Sequence, residues 1–131
     1  MSLEHMPLAK QVDLVFREIK EELNELSSGM VFIQIRNNVI GKFGIRHFPL
    51  ESKDGKVQTD ASGLSEDHQL SFRQLAIEAL RHKINWTHGE IVYEFALKQN
   101  TVCASVQFES NYNMANLVVK REQRRDFRET Y

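Results

Sequence analysis

Between Gly89 and Ser110 apolar residues recur at every second position in two runs. Ile91, Tyr93, Phe95 and Leu97 mark one run, and Val102, Ala104, Val106 and Phe108 mark the next. Period-two alternation belongs to strands with one buried face. Folding the chain at Gln99-Asn100 sets Lys98 against Thr101, Leu97 against Val102, Phe95 against Ala104, Tyr93 against Val106 and Ile91 against Phe108. A slip by one residue would turn every one of these side chains to the wrong face. Asn tolerates positive φ, so a two-residue primed turn is expected at this point.

Met30 to His47 predicts a second hairpin. Turning on Asn37-Asn38 alone would set Ile33 against Lys42. A three-residue loop, Asn37 to Val39, instead pairs Ile35 with Gly41, Ile33 with Phe43 and Val31 with Ile45, so an extra residue or bulge is expected near the turn. Asp54-Gly55 is a strong hairpin signal, and it predicts a short strand at Val57 to Thr59 beside residues 50–52.

Helical periodicity flanks these hairpins. Leu8, Val12, Val15, Phe16, Ile19, Leu23 and Leu26 recur at three- and four-residue steps, which predicts one amphipathic helix from Pro7 to a stop at Gly29. Ser71-Phe72-Arg73-Gln74 reads as a capping box, with Leu70 and Leu75 as a hydrophobic staple. The helix it opens would bury Leu75, Ala76, Ala79 and Leu80, helped by Phe72, Ile77 and Ile84. Trp86 is expected as a lid on the core. Residues 113–131 predict a last helix, whose Met114, Leu117, Val118 and Arg121 share a face suited to docking on the sheet. Phe127 and Tyr131 point away from that face.

These elements describe one α+β domain over residues 1–131, with residues 1–6 read as a disordered or added end. Its architecture is two-layer, with a mostly antiparallel sheet of four to five strands in the order α-β-β-(β)-α-β-β-α. Helix-then-hairpin occurs twice, at 7–47 and 72–109, with Gly29 and Gly89 at equivalent joints. All the alternating apolar faces can lie under the first two helices. Phe32, Val92, Ala96 and Cys103 then project from the other face, among Arg36, Glu94 and Ser105. A face of that kind calls for a cover, either the last helix or a partner.

Composition narrows the chemistry. Charged residues make up 27% and hydrophobic ones 41%, with a net charge of -1, so no global field draws the chain to nucleic acid or to an anionic membrane. Cys103 is alone, which excludes an internal disulfide and a cysteine-based zinc site. No apolar run approaches membrane-spanning length and the N-terminus lacks a secretion signal, so a cytoplasmic protein is expected. Asp60, Ser62, Ser65, Glu66, Asp67 and His68 gather oxygen and imidazole ligands, with Glu78, His82 and His88 further on. Their spacing matches no metal template, and nothing nearby supplies a nucleophile or an oxyanion donor. Neither a metal nor a cofactor is expected, and enzymatic activity is not favoured. Lys120, Arg121, Arg124, Arg125 and Arg128 are offset by Glu122, Asp126 and Glu129, too little excess for a phosphate footprint.

The element order from Pro7 to about Arg128 resembles the type III secretion chaperones and the wider secretion-chaperone-like fold. That resemblance implies a dimeric scaffold without enzymatic activity that binds an unfolded segment of a client. This chain differs in its near-neutral charge and its basic last helix. The reading that follows is a non-enzymatic protein-binding module, adaptor- or chaperone-like, acting as a homodimer. Its contact residues would be Phe32, Val92, Ala96, Cys103, Phe127 and Tyr131. The alternatives are a small inhibitor or immunity-type protein, whose acidic first helix (Asp13, Glu18, Glu21, Glu22, Glu25) meets a basic partner, or a ligand-binding or enzymatic domain that uses the 60–68 loop.

Overall fold

The computed structural model describes residues 3–49, 51–58 and 62–129. Helix α1 spans Leu8–Glu18 and a short α2 spans Lys20–Leu23. Strands β1 (Ser28–Arg36) and β2 (Val39–Arg46) follow, then β3 (Glu51–Lys53) and β4 (Lys56–Gln58). Helix α3 covers Glu66–Ala79, strands β5 and β6 cover His88–Lys98 and Thr101–Ser110, and α4 covers Met114–Glu129. The α+β architecture is as expected: one antiparallel sheet in the order β2-β1-β5-β6, with α1 and α3 on its inner face. β3 and β4 form a separate two-stranded ribbon and do not extend this sheet.

All three hairpins close on two-residue turns with both central φ angles positive: Asn37-Asn38, Asp54-Gly55 and Gln99-Asn100. This is the turn whose twist matches that of paired strands. The β5–β6 register is the expected one at every position from Lys98↔Thr101 to Ile91↔Phe108.

The β1–β2 hairpin corrects its expected loop. Val31↔Ile45 and Ile33↔Phe43 pair as anticipated, but the turn is Asn37-Asn38 alone and Ile35 pairs with Ile40 rather than Gly41. The extra residue is absorbed one step into β2, where Gly41 and Lys42 together oppose Gln34. In the short ribbon both strands lie one residue closer to the turn than expected, at Glu51–Lys53 and Lys56–Gln58, with Lys53 paired to Lys56.

The helices carry three further corrections. The first ends at Leu23, after a break at Ile19, and Gly29 is the second residue of β1 rather than a helix stop. Its apolar stripe is nonetheless the buried one, through Val12, Val15, Phe16, Ile19 and Leu23. α3 begins about one and a half turns before the expected capping box. Ser65 is its N-cap, accepting the His68 amide at 3.2 Å, while His68 Nδ1 accepts the Ser65 amide at 3.0 Å. Ser71 is therefore inside the helix, and Leu70 and Leu75 are 44% and 38% exposed, too open for a staple. The buried side is Gln69, Phe72, Ala76 and Ala79, and Ile84 is exposed.

Between the layers, the Phe72 ring meets Phe16 edge-on at 5.0 Å and packs tilted on Phe95 at 5.1 Å. Such pairs contribute roughly 0.5–1.5 kcal/mol each beyond area burial. Tyr93 joins them and donates its hydroxyl to the Ala76 carbonyl at 3.2 Å, and burial pushes its phenol pKa well up. Trp86 is the expected lid: its ring is buried, packs on Phe108, and donates Nε1–H to the Lys83 carbonyl. Gly89 makes room for that ring, since a Cβ there would lie 2.4 Å from it.

The β1–β5 pairing joins the two helix–hairpin units antiparallel, with Gly29↔Phe95 at one end and Ile35↔Gly89 at the other. Phe32↔Val92 falls midway, so an approximate local twofold passes between these two residues.

Candidate functional site

The outward residues of the central strands come together on the open face. Phe32 stands between Gly44 and Val92, and Val92 continues to Gln107. Ala96 pairs with Cys103 nearer the β5–β6 turn. Phe32, Val92 and Ala96 are half-buried and Cys103 is exposed. Phe32 owes its partial cover to its own neighbours. Its ring lies over Gly44, where a Cβ would come within 2.9 Å, and under the Arg46 guanidinium at 4.9 Å. Both glycines of β2 thus serve the sheet, one as a bulge and one as a seat for an aromatic ring.

Charge divides this face in two. Arg36, Lys42 and Arg46 belong to β1 and β2, whereas Glu90, Glu94 and Glu109 belong to β5 and β6, with Lys98 of β5 the exception beside the turn. The halves meet at Arg46 and Glu90, 3.6 Å apart, which is longer than a hydrogen bond and leaves the buried Glu90 Oε1 without a hydrogen-bond donor. A shallow groove of about 590 Å³ crosses the same face, lined by Gln34, Arg36, Lys42, His88, Glu90 and Glu109 among others.

α4 does not dock on this face. Asn113 caps it, with Oδ1 accepting the Ala115 and Asn116 amides. Every side chain from Asn111 to Gln123 is exposed, including Tyr112, Met114, Leu117 and Val118. The Phe127 side chain and Tyr131 lie outside the described residues.

The 60–68 stretch is structural where it is described. His68 caps α3 through Nδ1 and reaches the Asn100 carbonyl through Nε2 at 3.0 Å, so both ring nitrogens are engaged. Glu66 pairs with Lys20, and Glu78 pairs with Arg81 rather than His82. Among the described residues no three His, Cys, Asp or Glu side chains gather in a metal-binding group. Of the acidic residues on the first helices, Asp13 pairs with Arg17 and Arg73, and Glu22 lies 2.9 Å from His47 Nε2. No helix of the described residues is long and apolar enough to cross a membrane.

Comparison with known proteins gives no match, whether to a protein-family model, a curated protein or a solved structure.

The signal that sequence reasoning missed is the buried amide of Gln11. Its Nε2 donates to the Met6 and Asn38 carbonyls, and its Oε1 accepts the Ile40 amide. A glutamine inside an apolar helical stripe is the mark that could have revealed it.

Proposed function

We propose that the chain is a non-enzymatic protein-binding module, adaptor- or chaperone-like, that works as a homodimer. The observation that carries this reading is the bare apolar side of α4: Met114, Leu117 and Val118 are 71%, 43% and 47% exposed. Exposed apolar residues concentrated on one terminal helix mark a docking element, because leaving them wet forgoes burial that a partner would supply. The uncovered sheet face supports the reading. Phe32 and Val92 form its apolar centre and the split of basic and acidic strands would orient whatever lands there.

Photo-crosslinking in the cell of origin tests this. A benzophenone side chain at position 117 should capture a discrete protein species. The same probe at Gln123, also exposed on α4 but at least about 120° round the helix from Met114, Leu117 and Val118, should not. Equal labelling from both positions, or none from either, would contradict the proposal.

A further inference from the structure

We propose that two copies pair through β6, antiparallel about a twofold axis at Ser105, to make one continuous eight-stranded sheet from two sheets of four. This deepens the homodimer part of the proposed function and rests on it.

The two sheet edges differ sharply. β2 is guarded: a bulge breaks it at Gly41 and Lys42, Gln11 Oε1 occupies the outward amide of Ile40 at 2.8 Å, and Lys42 and Arg46 add charge. These are the devices by which proteins prevent strand addition. β6 has none of them. From Thr101 to Phe108 it is unbroken, uncharged and free of proline, and its pairing with β5 has no irregularity.

Its unused backbone groups can be assigned. The two-residue turn makes Lys98 and Thr101 a hydrogen-bonded pair, so odd-numbered residues of β6 bond to β5. The Asn111 amide, which donates to the His88 carbonyl at 2.9 Å, keeps the same parity. Val102, Ala104, Val106 and Phe108 therefore turn their N–H and C=O groups outward, and none makes a hydrogen bond to another described residue. Their side chains face the helical layer yet stay part-exposed, whereas Ile91, Tyr93 and Phe95 on β5 are fully buried.

A second copy fits this edge because β6 is complementary to itself. With Ser105 on the axis, Ala104 pairs with Val106 of the mate and Val102 with Phe108, so all four apolar residues gain apolar neighbours. On the outer side Cys103 meets Gln107 and Thr101 meets Glu109, with no like charges opposed. Leu75 adds to the seam. It lies on the side of α3 that carries His68, which reaches the β5–β6 turn, and away from Arg73, which faces α1. The paired sheet leaves both outer faces and both α4 helices free for another protein.

Cysteine scanning at the axis tests the pairing. Two Ser105 Cα atoms across a non-hydrogen-bonded pair would lie about 4.5 Å apart, inside the range a disulfide spans. Ser105→Cys in a Cys103→Ser background should form a covalent dimer on mild oxidation, while Cys103→Ser alone should not. Gln107→Cys with Cys103 present should crosslink as well. Ser105→Lys, at an exposed position, should weaken the dimer by ~tenfold by opposing two like charges on the axis. A dimer that forms neither crosslink would overturn the β6 pairing and leave the homodimer reading standing. A monomer throughout would overturn both. A monomer whose β6 amides gain protection only with another protein's peptide would show that the edge serves a foreign strand.

Discussion

Gln11 Oε1 accepts the Ile40 amide at 2.8 Å, tying α1 to the edge strand of the sheet. The side chain is 2% exposed and its Nε2 serves two carbonyls, those of Met6 and Asn38. Removing it orphans a buried donor, which costs about 1–3 kcal/mol. Gln11→Ala should lower the free energy of unfolding by that amount in urea titration. A change within experimental error would mean water replaces the amide without loss.

Ser65 and Ser71 offer a paired comparison. Ser65→Ala removes the α3 cap and should cost roughly 0.5–2 kcal/mol. Ser71, exposed inside the helix, should tolerate Ala with no loss, because Ala is the better helix former. A larger loss at Ser71 than at Ser65 in thermal unfolding would refute the assigned start.

That comparison shows where the sequence is legible and where it is not. Ile91 to Phe108 fixes its own register, because each apolar residue has one partner and the turn between them demands positive φ. Gly41 and Gly44 carry no side chain to signal a face, so the bulge in β2 was visible as a need but not as a place. The true cap of α3 is obscured because His68 fills a position usually taken by Glu or Gln. A better-matching Ser71-x-x-Gln74 lies one and a half turns later, but starting there would leave Gln69 without its bonds to Lys20, Asn24 and Leu64. The apolar side of α4 is plain in sequence. Its lack of cover is not, since that depends on where a helix lands rather than on its own periodicity.

Tyr93 predicts an alkaline signature. Burial raises its folded pKa above the ordinary value near 10, so the folded state holds a proton that the unfolded state has released. Its contribution to stability is complete below pH 10 and is lost as pH rises toward the folded value, at up to ~1.4 kcal/mol per pH unit. Urea midpoints measured from pH 9 to 11 should fall more steeply for the parent protein than for Tyr93→Phe. Identical slopes would place the phenol in contact with solvent.

Sedimentation equilibrium of the intact chain tests the central claim most directly. At high micromolar concentration the account predicts twice the 15.3 kDa chain mass, with Ser105→Lys shifted toward the single-chain value. A mass of one chain at every concentration would contradict it.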